Sequence, residues 1–389
     1  MKFLAYWVVF AVVLLFAACS TEVELNADYK STTVIFGLLD VDSDGNLVRN
    51  ALDTQWIKIN KTFLGEGDNT AFAGIRDSSE YDDADFVKKV VQRYHADNFV
   101  EEYELFSKTV SNKQVNGIFY GPEQTLYYFT PPAAGLDSLS TYKLLLQFTD
   151  GREVSAVTNV VNYRQFNWIA PQITTTVSLA SSTGGGVPNY SETSLIRWYA
   201  AENAVQYDAL LRFHYTEYVY PTTERIPGTG VATEKSIDFR LGSKDAEDVL
   251  PGTQLTITFN GESFYSFLAN SLEHSDKITR QIGHFDGTKT RCFDVILSMA
   301  NEELKTYILV NTPSTGIIQE RPVYTNVTNG GLGLFGARGT RKLNDLTLIT
   351  YGGGGFPQTG NLEGFVYGVM QPLNFCDPNP GSDYTCPDL

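Results

Sequence analysis

The sequence is poor in the residues from which metal centres and histidine-based active sites are usually built. Its 389 residues include only four His and four Cys, which are widely scattered. Positive charge is also scarce, because 29 Lys and Arg residues stand against 45 Asp and Glu residues and leave a net charge of −16. A chain this acidic is repelled by phosphate backbones, so we expect no nucleic-acid partner.

Two common catalytic motifs are missing as well. Beyond residue 18 the chain has neither the GxSxG motif of many hydrolases nor the HExxH motif of zinc peptidases. The four histidines lie far apart along the sequence, at His95, His214, His274 and His284. We therefore predict that the protein is not an enzyme. A Ser–His–Asp site assembled from distant segments remains the alternative.

The N-terminus indicates export from the cytoplasm. Met1 and Lys2 precede an apolar run over residues 3–18, which is shorter than the roughly 20 residues of a membrane span. The run ends in LFAAC, and this pattern resembles the lipobox of bacterial lipoproteins, in which the Cys receives diacylglycerol. We predict a signal peptide over 1–18, lipidation of Cys19 and a tether over 19–31. A plain secretory signal with a chance Cys is the alternative.

The body of the chain has the composition and periodicity of a β protein. It is rich in Tyr, Phe and Gly, with 22, 24 and 33 residues. Residues 55–61 alternate apolar and polar side chains, and further short strands are predicted at 33–39, 127–129, 142–148 and 154–163. Segments 87–94 and 99–105 are predicted to form a hairpin around a turn at 95–98. A single helix across 83–105 is the alternative.

The second half mixes strands with short helices. Residues 194–215 resemble the Trp-strand, turn and Tyr-strand of fibronectin type III modules, which would make Trp198 and Tyr207 core anchors. Apolar residues from Phe264 to Leu272 fall on one helical face. A second short helix is predicted over 300–310, with an alternating strand between the two helices.

The predicted fold class is mainly β, with Ig-like and fibronectin-III-like β-sandwiches and a small mixed α/β part in the C-terminal half. The predicted domains are an N-terminal Ig-like β-sandwich over 32–167 and a fibronectin-III-like β domain over 168–389. The second domain would include the short helices and a C-terminal disulfide loop.

Several segments resemble a family of Bacteroidota cell-surface lipoproteins with Ig-like β-sandwich domains. They are 34–39, 57–63, 142–158, 261–268 and, most distinctively, YTNVTNGGLGLFGAR at 324–338. Genes of this family often lie beside those of TonB-dependent receptors. The resemblance implies a lipid-anchored protein on the outer membrane, facing the exterior, with an outer-membrane β-barrel partner such as a TonB-dependent receptor. It supplies no catalytic residues.

We therefore predict a non-enzymatic accessory subunit of an outer-membrane β-barrel involved in transport or assembly. One alternative is a glycan- or nutrient-binding lipoprotein, in which exposed Tyr and Trp side chains stack on sugars. We expect Trp56, Trp168 and Trp198 to be core residues, which counts against that alternative. The other alternative is a fimbrial subunit built by strand exchange between sandwiches.

One acidic segment resembles a calcium loop. Asp40, Asp42 and Asp44 alternate before Gly45, as in the first half of such a loop. The late bidentate Glu is replaced by Ala51, so the alternative is a solvated acidic turn without metal. Calcium is the only cofactor that the sequence suggests.

The remaining cysteines suggest one disulfide. Cys376 and Cys386 bracket a loop rich in turn-forming residues, and an extracytoplasmic compartment permits oxidation, so we predict a bond between them. Cys292 lies in apolar strand sequence and is predicted to be a buried free thiol.

The sequence also contains one tight cluster of basic residues, for which two interpretations are possible. Arg338, Arg341 and Lys342 lie close together in this acidic chain, and they either pair with its carboxylates or face a partner.

Overall fold

The computed structural model describes most of the chain after the predicted tether. The described residues are 32–43, 54–62, 72–114, 117–118, 120–132, 135–162, 165–171, 176–180, 189–191, 193–312, 323–348 and 360–387. Cys19, Asp44 and Ala51 lie outside them, as do the predicted signal peptide and tether. Within the described part, no helix is long and apolar enough to cross a bilayer.

The described residues confirm the predicted mainly β composition, since strands predominate and helices are few. The strands are β1 (Thr33–Ser43), β2 (Gln55–Lys61), β3 (Phe86–His95), β4 (Asn98–Glu104), β5 (Phe106–Val110), β6 (Gln124–Phe129), β7 (Thr141–Phe148), β8 (Glu153–Asn159), β9 (Asn167–Ala170), β10 (Thr176–Val177), β11 (Thr193–Tyr199), β12 (Gln206–Val219), β13 (Val231–Asp245), β14 (Gln254–Asn260), β15 (Ile278–Ile282), β16 (His284–Phe285), β17 (Thr290–Ala300), β18 (Leu332–Leu348) and β19 (Phe375–Cys376). The helices are α1 (Arg76–Ser79), α2 (Gly261–Ser271), α3 (Glu302–Asn311) and α4 (Gly360–Val366), with 3-10 helices at Asp83–Asp85 and Gly368–Leu373.

The strands form three sheets. The largest has twelve strands, with the order β19-β15-β12-β17-β18-β1-β2-β6-β5, and β10, β13 and β16 pair onto β18, β12 and β17. A four-stranded sheet has the order β4-β3-β7-β8, and a three-stranded sheet has the order β14-β11-β9.

The long strand β18 connects the two halves of the chain. Its first part pairs in parallel with β1, with Val34 opposite Leu332. Its later part pairs antiparallel with β17, with Ala300 opposite Arg338. One sheet therefore runs across the predicted boundary between 167 and 168. Short-range patterns could not indicate this, because the pairing joins the first and last long strands of the described chain.

The hairpin of β3 and β4 forms as predicted, and the alternative helix across 83–105 is wrong. His95 pairs with Asn98, and both turn residues, Ala96 and Asp97, have positive φ angles of 46° and 63°. A two-residue turn of this kind matches the twist of the flanking strands.

The predicted helices are also present. In α2, the Asn260 side chain caps the helix by accepting the Ser263 N–H, while Phe264 and Leu268 are buried. In α3, Asn301 caps in the same way by accepting the Leu304 N–H.

Trp198 and Tyr207 are core anchors, as the fibronectin-like pattern predicts. Both side chains are fully buried, and their ring centroids lie 5.3 Å apart. The Tyr207 hydroxyl accepts the Ala201 N–H at 2.7 Å, which ties the intervening turn to the core. Nearby, Phe213 contacts a cluster of aromatic rings from α2, α4, β17 and β19: Phe264, Phe365, Phe293 and Phe375.

A buried ion pair holds the C-terminal part of the chain against the large sheet. The Arg280 guanidinium in β15 donates to Glu217 of β12 and to the backbone carbonyls of Leu373 and Glu273. Glu217 also accepts from Lys235 of β13. One guanidinium thus connects two strands, the 3-10 helix that precedes β19, and the chain that follows α2.

Candidate functional site

An apolar groove lies on the outer face of the large sheet, between α3, which packs on β18, and the exposed residues of β1 and β2. Strand alternation turns Ile35 and Leu39 of β1 into the core and leaves Phe36 between them 46% exposed. The Phe36 ring meets Tyr307 of α3 edge-on, with centroids 6.0 Å apart. The resulting cavity of about 490 Å³ is called here the helix–sheet groove, and its lining comprises Phe36, Gly37, Leu38, Asp40, Thr54, Gln55, Trp56, Leu304, Tyr307, Ile308, Leu334 and Arg338.

A row of aromatic side chains continues outward from the groove. Trp56 of β2 lies opposite Tyr128 of β6, which lies opposite Phe106 of β5. The ring centroids are 4.9 Å apart in the first pair and 5.9 Å apart in the second. The Lys108 ammonium lies 6.0 Å from the Trp56 ring centroid. This aromatic row, Trp56, Tyr128 and Phe106, crosses three neighbouring strands at the edge of the sheet.

The expectation that Trp56 is a core residue is wrong. Trp56 is 39% exposed, because β2 turns Ile57 and Ile59 into the core and its alternate residues outward. The alternation in 55–61 already contained this signal, since Trp56 is out of phase with both isoleucines. Of the other tryptophans, Trp198 is buried and Trp168 is half-buried against Phe166.

The polar end of the groove is an ion pair between β1 and β18. Arg338 donates from Nε to Asp40 Oδ2 at 2.7 Å. On the neighbouring strand β2, the Gln55 side chain accepts the Asp40 N–H and donates to the Asp40 carbonyl. Of the predicted calcium ligands, Asp40 is therefore engaged by a guanidinium, whereas the Asp42 side chain and Asp44 lie outside the described residues. Among the described residues, no group of three or more His, Cys, Asp or Glu is arranged to hold a metal ion.

Two arginines of the basic cluster, Arg338 and Arg341, make different contacts within the protein. Arg338 pairs with Asp40, while the Arg341 guanidinium lies 5.3 Å from the Phe166 ring centroid. Arg338 thus pairs with a carboxylate of the body, as the first interpretation has it, whereas the contact of Arg341 is with an aromatic ring.

A second cavity, which is lined mainly by polar side chains, surrounds His214 at the point where β12 changes its pairing partner. β12 pairs with β17 up to Phe213 and with β15 from Tyr215 onward, so the sheet forks at His214. His214 Nε2 lies 2.8 Å from Asp294 Oδ2. This hydrogen bond raises the pKa of His214, and the pKa of Asp294 is lowered despite its partial burial.

The pocket at the fork is small and polar. It has a volume of about 250 Å³ and also contains His284, which is distant in sequence from His214. The Asp345 N–H donates to Asp294 Oδ1 at 2.9 Å and fixes that carboxylate. Sequence reasoning missed this grouping, because residues 80 positions apart meet only through the pairing of β12 with β17.

The cysteines occupy two different environments. Cys376 and Cys386 form a disulfide with Cα atoms 4.8 Å apart. Across the loop, the Asp377 N–H donates to the Tyr384 backbone carbonyl. Cys292 is a buried free thiol. Burial raises the pKa of the Cys292 thiol well above its usual value, and the charge of Asp377 adds to this effect. A thiol in that state is a poor nucleophile.

Comparison with known proteins assigns no family to the chain. No protein-family model matches it, and no curated protein matches it significantly. The groove and the aromatic row offer apolar and aromatic contact area with one ion pair at the end, which is the chemistry of a binding surface.

Proposed function

We propose that the protein is a non-enzymatic lipoprotein of the outer-membrane surface and an accessory subunit of a β-barrel partner such as a TonB-dependent receptor. Lipidation of Cys19 would anchor it, with the body facing the exterior. The LFAAC segment and the surface-lipoprotein resemblance support this proposal. We further infer that its two halves are Ig-like and fibronectin-III-like β-sandwiches, an inference that the core positions of Trp198 and Tyr207 support.

The observation that carries the partner proposal is the helix–sheet groove. Phe36 of β1 and Ile308 of α3 are 46% and 41% exposed and line the same depression. Binding of a partner that covers these exposed apolar side chains is favourable by about 25 cal/mol per Å² of apolar surface that it buries. We infer that a segment of the barrel partner occupies the groove.

Two substitutions on α3 test this inference as a matched pair. Ile308 lines the groove, whereas its neighbour Leu309 is 70% exposed and does not. Ile308→Asp should greatly reduce the β-barrel protein that copurifies after mild detergent extraction of native membranes. Leu309→Asp makes the same chemical change and should leave the copurified amount unchanged. Equal recovery with both variants, or isolation of the wild type always as a lone monomer, would contradict the proposal.

The aromatic row favours glycan or nutrient binding as a second candidate function. Trp56 and Phe106 present exposed ring surface on either side of Tyr128, in register across three neighbouring strands, an arrangement on which sugar rings can stack. Trp56→Ala should abolish binding on a glycan array. Phe99→Ala removes an exposed ring from β4 of the four-stranded sheet and should leave that binding unchanged. An array without signal for the wild type would end this candidate.

Anchoring is tested separately. Cys19→Ala should give a protein that no longer fractionates with the outer membrane, because the lipid supplies the anchor. Unchanged membrane fractionation at equal expression would refute the lipidation proposal.

The fimbrial alternative requires removal of the strand β1, which pairs with β18 on one side and β2 on the other. Intact β1 in surface material would exclude it.

A further inference from the structure

A separate cavity with tyrosine walls lies between α2 and α4, in the C-terminal half of the chain. It has a volume of about 580 Å³, and its walls include Tyr190, Tyr265 and Tyr367. Two carboxylates, Glu262 at the start of α2 and Glu363 in α4, also line it. The cavity shares no lining residue with the helix–sheet groove. It is called here the tyrosine pocket.

The inner wall of the tyrosine pocket is fixed by packing. Tyr265 is buried, and its hydroxyl donates to the Asn361 carbonyl at 2.7 Å. Its ring meets Tyr190 edge-on at 5.4 Å. A Cβ atom at Gly364 would lie 2.2 Å from Tyr265 Cζ, so only glycine lets α4 approach the ring this closely. The rings are therefore held in place before any ligand arrives.

The outer wall is open to solvent. Tyr367 is 59% exposed, and its ring meets Tyr384 edge-on at 5.8 Å. Tyr384 in turn forms a hydrogen bond with Glu363. Tyr367 thus presents ring surface to solvent at the mouth of a pocket that Glu363 also lines.

The charged residues among the described lining of the pocket are all acidic. None of its described lining residues is Lys, Arg or His. The sequence has no Lys, Arg or His between 343 and 389, or between 165 and 196, which include the α4 side and the Tyr190 side of the pocket. Burial, followed by the charge of Glu363, raises the pKa of Tyr190 to about 12. A phenol is already neutral at physiological pH with its ordinary pKa, and this shift acts in the same direction.

We propose that the tyrosine pocket binds an organic cation through an alkylammonium group. Tyrosine faces attract cations through their quadrupole, and this attraction strengthens when the cation loses water. The carboxylates of Glu262 and Glu363 favour the same charge and disfavour anions. The described residues provide no cluster of metal ligands here, which separates this chemistry from that of a metal site.

The test compares a cation with its uncharged isostere on the full-length chain. Choline and 3,3-dimethylbutan-1-ol have nearly the same shape, and only choline is charged. Isothermal titration calorimetry should show choline binding about tenfold or more tightly than the neutral alcohol, given the usual strength of cation–π and charge contacts. Cadaverine and a blocked lysine amide extend the titration. Binding of choline and cadaverine alone indicates a free small cation, whereas binding of the lysine amide indicates a protein side chain.

Variants then assign the binding to the pocket. Glu363→Gln keeps the shape of the side chain, removes its charge and should weaken choline binding about tenfold. Tyr367→Ala should weaken it about three- to tenfold, while Tyr367→Phe keeps the ring face and should not. Glu224→Gln makes the same charge change at an exposed residue outside the pocket and serves as the control.

Three results would overturn the proposal. They are equal binding of choline and its neutral isostere, no heat of binding with choline, and wild-type affinity in Glu363→Gln. If Glu363→Gln fails to fold, as judged by circular dichroism, Glu262→Gln tests the same charge at the other carboxylate. Unchanged affinity in that variant together with Tyr367→Ala would be equally decisive against the proposal.

Discussion

Replacing Arg280 by Met should destabilise the protein by about 3–5 kcal/mol, the usual cost of breaking a buried ion pair. Arg280 is 1% exposed, and its Nε lies 3.0 Å from Glu217 Oε2. Its remaining donors bond the Leu373 carbonyl at 3.0 Å and the Glu273 carbonyl at 2.9 Å. Methionine fills part of the space and supplies none of these donors.

The magnitude follows from what the substitution leaves behind. Glu217 has a side chain only 8% exposed, so its charge would remain buried with Lys235 as its other cationic partner. Lys235 is partly solvent-exposed and offsets a share of that cost, which favours the lower end of the range. The two released carbonyls add about 1 kcal/mol or more each wherever water cannot replace the lost donor.

Urea unfolding followed by tryptophan fluorescence measures this change in the free energy of unfolding. Arg212→Met is the matched control, because Arg212 makes a two-point contact with Asp238 at the surface. That pair should contribute less than about 1 kcal/mol. The double variant Arg280→Met with Glu217→Met should lose less stability than the sum of the losses in the two single variants, because it leaves no buried charge unpaired. Equal unfolding midpoints for Arg280→Met and Arg212→Met would refute the reasoning.

Three further predictions concern the core, the cysteines and the sheet fork. Trp198→Ala should lower the free energy of unfolding by about 3–5 kcal/mol, measured by urea denaturation, because it empties a fully buried site. Cys376→Ser should cost up to about 3 kcal/mol through loss of the loop constraint, and Cys292 should resist alkylation in the folded protein. An NMR titration should place the pKa of His214 above its usual 6.5, and Asp294→Asn should lower it. The stabilisation by protonated His214 should be complete below that usual value and disappear as the pH rises through the raised pKa.

Each of these predictions has a contradicting result. An unchanged free energy of unfolding for Trp198→Ala in urea would contradict the core role of this side chain. Mass spectrometry of unreduced peptides that links Cys292 to Cys376 would contradict the disulfide assignment. A pKa of His214 that is the same with and without the Asp294 carboxylate would show that the hydrogen bond does not control its protonation.

Local patterns in the sequence were sufficient for several of the elements and for some contacts within them. The period-2 alternation of 55–61 predicts β2, and a turn-rich tetrapeptide predicts the β3–β4 hairpin. The Trp198 and Tyr207 pair could be placed in the core because both residues belong to one strand–turn–strand unit. The loop between Cys376 and Cys386 is likewise a short-range feature. In each case the interacting residues are close in sequence, so the chain between them restricts the geometry.

The tertiary structure alone decided which distant residues meet. The parallel pairing of β1 with β18 places Asp40 beside Arg338, although almost 300 residues separate them. β12 pairs with β17, which joins His214 to Asp294, and it pairs with β15, which places Glu217 beside Arg280. Strand pairing depends on complementary faces and edges over the whole fold, and many pairings satisfy the same local alternation. The sequence alone therefore determined several strands, the helices α2 and α3 and the burial of Trp198 and Tyr207, whereas the grooves, pockets and ion pairs depended on strand order and register.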